Sequence, residues 1–217
     1  MELDANGHER PGLQFPGLCL VTDRRQTRER DLVAVVGDCL AAGLRAVQVR
    51  EKDLTASELA RVCRILREAT RAAGALLVVN DRVDVALAVG ADGVQRTTTS
   101  LPIADIRALA DKRLQVGASV HSLAEATEAE RDGADWIVFG PIYDTPSKRA
   151  YGPPQGLAPL ERVARSVRIP VIAIGGITVE RVREVRDAGA HGVAVISAIL
   201  GADSPAEATR AFLDERR

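Results

Sequence analysis

From Leu18 onward the chain alternates short, β-branched apolar runs with longer segments in which apolar residues recur every three or four positions. The runs LCLVTD (18–23), AVQVR (46–50), LLVVND (76–81), GVQR (93–96), LQVGAS (114–119), WIVFG (136–140), PVIAIGG (170–176) and GVAVIS (192–197) predict eight strands. Several are apolar throughout, as expected of strands buried on both faces of a parallel sheet. Between them, segments such as SELARVCRILREATRAAG and SLAEATEAERDGAD carry charge opposite an apolar stripe and predict helices. Gly43, Gly74, Gly90, Gly133 and Gly189 each close a helix shortly before a strand. The GADGV of 90–94 and the GAHGV of 189–193 show how alike the turns entering strands are. Eight strand and helix pairs in 217 residues predict an α/β fold, a single closed (β/α)8 TIM barrel over 17–217, rather than an open doubly wound sheet. Residues 1–16 are polar and rich in glycine and proline, which predicts a flexible N-terminal tail without the apolar run of a signal peptide.

Composition narrows the partners. Hydrophobic residues at 46%, charged residues at 27% and a net charge of -1 give no bulk attraction to nucleic acid or anionic membrane, so any phosphate binding must be local. No segment approaches the roughly 20 apolar residues of a membrane span, and a cytoplasmic location is expected. Cys19, Cys39 and Cys63 are odd in number, widely spaced and set in apolar runs, which fits reduced core thiols better than a disulfide frame or a metal site. Whether copies associate as a homo-oligomer stays open.

In such a barrel, chemistry belongs at the carboxyl ends of the strands, where the loops converge on one mouth. The glycines of IGGIT after strand seven, with VISAI at strand eight, predict a phosphate site formed by Gly175, Gly176, Ile196 and Ser197. The alternative is a glycine pair that only makes a tight turn. Gln48 and Arg50 share a strand face and Lys52 follows, suiting an anionic or polar heteroaromatic substrate; Arg50, Glu51, Lys52 and Asp53 could equally form a solvated charge cluster. Asn80 and Asp81 read as a ligand pair or as a helix cap. Ser119 and His121 follow strand five, Ser122 is a natural helix N-cap, and His121, whose ordinary pKa is about 6.5, is a candidate acid or base. His191 precedes strand eight, on the stability face. The loop from Pro141 to Leu157 carries Thr145, Ser147, Lys148, Arg149 and Tyr151, a pattern suited to a mobile lid over an anion or to a plain surface loop.

Taken in order, QVREKD, VNDR, GADGV, GASVHS, FGPIYDTPSKRAYGPP, AIGGIT and GVAVISAI resemble the thiamine phosphate synthase and TenI superfamily of (β/α)8 barrels. The likeness runs from about Leu18 to Leu213. The resemblance implies that Gln48, Arg50, Lys52, Asn80, Thr145, Ser147 and Lys148 contact a pyrimidine or its diphosphate. It also implies that Gly176, Ile196 and Ser197 hold a thiazole phosphate, and that Asp81 is one of two Mg²⁺ carboxylates. The second carboxylate belongs to a strand-four motif of the form GVHLGQEDLP, which here reads GVQRTTTSLP. Ser100 stands where that Asp is expected, Gln95, Thr97 and Thr98 replace the His, Gly and Gln, and Arg96 replaces the Leu. If Arg96 points into the mouth, its charge opposes a cation there.

Because Mg²⁺ usually keeps one or two carboxylates plus phosphates and water, the loss of one weakens the synthase expectation. The expected function is therefore the TenI one, a metal-free thiazole tautomerase that moves protons on a carboxythiazole phosphate. His121 would be its acid or base, and Arg50 or Lys52 would pair with the substrate carboxylate. The alternatives are thiamine phosphate synthase itself, with Mg²⁺ at Asp81, and a non-catalytic regulator that binds a thiazole or thiamine phosphate. An unrelated small-phosphate barrel would not explain TPSK or QVREK.

Overall fold

The computed structural model describes residues 15–111, 113–145 and 153–215. Eight strands form a closed barrel in chain order: β1 (Leu18–Val21), β2 (Ala46–Val49), β3 (Leu76–Asn80), β4 (Gly93–Arg96), β5 (Gln115–Val120), β6 (Trp136–Phe139), β7 (Val171–Ile174) and β8 (Gly192–Val195). Each is parallel to its neighbours, and β8 closes onto β1 through the Leu18↔Val193 to Leu20↔Val195 register. The helices α1 (Leu32–Ala41), α2 (Ala56–Ala72), α3 (Val83–Val89), α4 (Ile103–Ala110), α5 (Leu123–Arg131), α6 (Leu157–Ser166) and α7 (Val182–Asp187) follow the first seven strands. The eighth strand is followed by two, α8 (Ser197–Leu200) and α9 (Pro205–Asp214). None of the described helices is long and apolar enough to cross a membrane.

The strands stop one or two residues short of most of the predicted runs, and β5 starts one residue later and ends one later. The reason is local. The polar residues at the strand ends turn out of the ladder, with Asp81 at φ 66° and Gly175 at φ 103°.

Strand alternation separates two cores. Outward residues such as Val47, Val49, Leu77, Val79, Val94 and Val116 pack under the helices. Inward residues Cys19, Val21, Ala46, Val78, Trp136, Val138, Ile172 and Ala194 fill the barrel with Phe15. Phe15 therefore belongs to the barrel, not to the expected tail: its ring lies 4.7 Å from that of Trp136 and its carbonyl accepts from His191 Nε2 at 2.6 Å. Residues 1–14 of the tail lie outside the described residues.

All three cysteines are buried and free, and burial pushes the Cys19 and Cys63 thiols up to about 12, so neither is a thiolate near neutrality. The similar turns entering strands are structural braces. Asp92 accepts from Arg67 of α2 and from the Leu77 N–H of β3, while Asp135 accepts from Arg107 of α4 and from the Val116 N–H of β5. His191 sits at the matching place in the last of these turns and ties down the entry to β1 instead.

The Trp136 indole occupies space left by two glycines. A Cβ on Gly117 would lie 2.2 Å from the indole and 2.4 Å from Gln95 Oε1, and one on Gly93 would lie 2.9 Å from the ring. Gly117→Ala is expected to destabilise the fold by about 3 kcal/mol through overpacking. Gly37→Ala, inside α1 with nothing within 4 Å of the new methyl, should stabilise it by about 0.5–1 kcal/mol. Urea denaturation of the two variants checks both signs.

Candidate active site

The carboxyl end of β7 is organised by its carbonyls. Ile174 O accepts from Ile142 N at 2.9 Å and Gly175 O from Tyr143 N at 2.9 Å. Gly176 O accepts from Arg181 Nη1 at 2.7 Å. In a trans peptide the following N–H points the opposite way, so the amides of Gly175, Gly176 and Ile177 face away from these donors. They make no backbone hydrogen bond among the described residues, and neither does Ser197 N at the start of α8. A row of amides without backbone partners beside the end of β8, where Ile196 and Ser197 follow, has the chemistry an anion cradle needs. The glycines are required: a Cβ on Gly176 would lie 2.8 Å from Asp144 O and Tyr143 Cβ, and one on Gly175 2.6 Å from Pro141 Cβ.

The charged stretch after β2 divides by parity. Glu51 points outward and is buried, accepting from Thr22 Oγ1 at 2.6 Å, Arg24 N at 3.1 Å and Arg24 Nη1 at 3.1 Å. Asp53 takes the same guanidinium at 2.8 Å through both oxygens, and that bond holds the Asp53 carboxyl below its usual range. Arg50 directly follows β2 at a spacing of two from inward Gln48, Lys52 lies exposed in the turn beyond it, and neither side chain has a carboxylate partner among the described residues. Glu51 and Asp53 are thus engaged by Arg24 rather than by Arg50 or Lys52. A cavity of about 470 Å³ behind Glu51, lined also by Arg24, Arg30 and Leu54, lies outside the barrel between α1 and α2.

Two inward amide networks floor the mouth. Gln48 Nε2 donates to Asn80 Oδ1 at 3.0 Å, which leaves Gln48 Oε1 as an acceptor and Asn80 Nδ2 as a donor. On the next strands Trp136 Nε1 donates to Gln95 Oε1 at 2.9 Å, and Gln95 Nε2 donates to Ser119 Oγ at 3.0 Å, so the Ser119 hydroxyl keeps its own proton to give. His121 is exposed at the rim, with its ring Nδ1 2.6 Å from Gly140 O. A carbonyl can only accept, so Nδ1 carries the proton and Nε2 is the acceptor. Ser122 caps α5 as the sequence predicts.

A family model described as thiamine monophosphate synthase matches residues 18–199. The chain belongs to the thiamine monophosphate synthase family. A putative thiamine-phosphate synthase of Geobacter sulfurreducens is 48% identical over 196 residues, covering 90% of this chain and 92% of its own. The thiamine-phosphate synthase of Roseiflexus castenholzii is 46% identical over 195 residues, covering 90% and 86%. The structure of thiamine phosphate pyrophosphorylase from Pyrococcus furiosus superposes with a TM-score of 0.85 at 41% identity, covering 94% of this chain and 95% of that one.

At the two positions where the family resemblance expects metal carboxylates, the barrel brings Asp81 and Ser100 together. Ser100 Oγ donates to Asp81 Oδ1, accepts from Thr97 N at 2.8 Å and lies 2.9 Å from Thr97 Oγ1. Neither Asn80 nor Asp81 caps α3, which has no side-chain cap. Arg96 does not enter the mouth: it shares the outward parity of Val94, because Gln95 points in, and its Nε is buried without a hydrogen bond. The expected repulsion of a cation by Arg96 is therefore withdrawn. Thr145 is half-buried at the root of the loop, while Ser147, Lys148, Arg149 and Tyr151 lie outside the described residues. Sequence reasoning missed Glu51, Gln95, Tyr143 and Arg181. Only Gln95 had a visible signal, its spacing of two from Gly93 on the inward face of β4.

Glu51→Ala would leave the proton of the buried Thr22 hydroxyl and the Arg24 N–H without an acceptor, and is expected to lower stability by about 3 kcal/mol. Asp53→Ala, at the exposed end of the same guanidinium, should leave the melting temperature nearly unchanged. Calorimetric melting of both variants measures the contrast.

Proposed function

We propose that this chain is a thiamine-phosphate synthase, joining hydroxymethylpyrimidine diphosphate to thiazole phosphate and releasing pyrophosphate. The observation that carries this reading is two separate sets of groups suited to anions: the amides after β7 and β8 without backbone partners, and Arg50 and Lys52 after β2 without carboxylate partners among the described residues. A reaction between a diphosphate and a monophosphate needs both. Relatives 41–48% identical to this chain that carry the thiamine-phosphate synthase name support it further, and they favour it over the tautomerase expected from the sequence.

In this reading the amides of Gly175, Gly176 and Ile177, with Ser197, hold the thiazole phosphate, while Arg50 and Lys52 hold the diphosphate through charge-assisted hydrogen bonds. Gln48 Oε1 and Asn80 Nδ2 present an acceptor beside a donor, the complement of an aminopyrimidine edge. Ser119 gives its proton to a substrate oxygen. His121 Nε2 is a rim acceptor, and the tautomerase role of acid or base is not needed.

The donors near Asp81 are all oxygens, as a hard cation requires. Asp81 Oδ2 takes no hydrogen bond among the described residues, whereas the Ser100 oxygen is engaged by Asp81 and Thr97. The set therefore fits Mg²⁺ held by one carboxylate, Asp81, and completed by diphosphate oxygens and water. When bound there, the ion neutralises charge on the departing pyrophosphate.

Incubating the protein with both substrates and Mg²⁺ is expected to give thiamine phosphate well above a protein-free control; absence of product, with conversion of carboxythiazole phosphate to its aromatic tautomer, would restore the tautomerase. Ser100→Asp adds a second carboxylate and should raise Mg²⁺ affinity in the presence of pyrophosphate by roughly tenfold, read by isothermal titration.

A further inference from the structure

The turn after β7 is held from outside by a residue that the family resemblance did not mark. Arg181 ends the 3₁₀ turn Val179–Arg181 and caps α7. Its Nη1 donates to Gly176 O at 2.7 Å, and its Cζ lies 4.2 Å from the centroid of the Tyr143 ring. The Tyr143 hydroxyl donates to Glu184 of α7, and the Tyr143 N–H donates to Gly175 O at 2.9 Å. Burial, with the Glu184 bond second, pushes the Tyr143 phenol up, so it stays a donor. Arg181, Tyr143 and Glu184 thus brace two successive carbonyls of the glycine pair.

Two glycines in positive φ, at 103° and 66°, have little intrinsic preference for one peptide orientation. Rotating the peptide between Gly176 and Ile177 would turn a carbonyl oxygen toward a bound phosphate in place of an N–H. The guanidinium opposes that rotation by holding the oxygen on the far side. It does so while lying against an aromatic face, which a planar guanidinium can do and an ammonium does less well.

We propose that Arg181 is a positioning residue of the phosphate cradle: it fixes the Gly176 carbonyl, and through it the amide offered to the thiazole phosphate, with Tyr143 and Glu184 holding Arg181 in place. The proposal rests on the synthase reading for the identity of that phosphate ester. It does not require Arg181 to touch the substrate.

The test compares the affinity of thiazole phosphate with that of the thiazole alcohol lacking the phosphate, by calorimetry, for the wild type, Arg181→Met and Arg181→Lys. Arg181→Met is expected to weaken thiazole phosphate about tenfold, the value of one charge-assisted hydrogen bond misaligned. It should leave the alcohol and the KM for the pyrimidine diphosphate unchanged. Arg181→Lys, which keeps the charge and is the variant to read if the methionine form does not fold, should show an intermediate loss confined to the phosphate ester. Equal weakening of ester and alcohol, or no change in either, overturns the proposal, because a purely structural role moves both or neither. The calorimetric ratio needs no turnover, so an inactive wild type that still prefers the ester would sink the synthase reading alone. A wild type that binds ester and alcohol equally overturns the clamp.

Discussion

Closure of β8 onto β1 is the constraint on which everything else depends. Once the sheet has no edges, each inward position is confined to the barrel and each outward position to the layer under the helices. That division turns a run of four alternating charges, Arg50 to Asp53, into two functions. Glu51, one residue from Arg50, is directed away from the mouth and locks β1 to β2 through Thr22 and Arg24. With both acids engaged by Arg24, Arg50 has no carboxylate partner among the described residues, which suits the anionic substrate proposed above.

The floor and the rim are built on different chemistry. The floor is side-chain amides that satisfy each other, Gln48 with Asn80 and Gln95 with Ser119 and Trp136, so that each presents a defined donor or acceptor upward. Gly117 makes this possible by leaving room for the indole beside the Gln95 amide. The edge proposed to hold a phosphate uses main-chain groups instead. Its amides are available because the adjoining carbonyls are already bonded to the root of the loop after β6 and to Arg181. An anion site of this kind needs no local excess of cationic side chains, consistent with a chain of net charge -1.

The strand-four segment shows how much weight one substitution carries in a reading of sequence alone. Ser100 in place of an expected carboxylate argues for a lost metal site, and from there for a tautomerase. In the fold Ser100 remains at the same locus, bonded to Asp81, and one carboxylate oxygen stays open. A single carboxylate beside a diphosphate is within the ordinary range for Mg²⁺. Relatives at 41–48% identity carry the thiamine-phosphate synthase name.

The sequence by itself determined the barrel, because period-two and period-3.6 hydrophobic patterns are local and repeat along the chain. It also determined which strand ends carry polar groups, since parity along a strand is readable from spacing; Gly175, Gly176, Gln48, Arg50 and Asn80 were legible in this way. Only the tertiary structure decided the pairings. Glu51 with Thr22 and Arg24, Gln95 with Trp136, and Arg181 with Gly176 and Tyr143 link residues on different elements or different faces of a turn. Hydrogen bonds depend on distance and direction in space, and no one-dimensional pattern encodes which carbonyl a guanidinium will find.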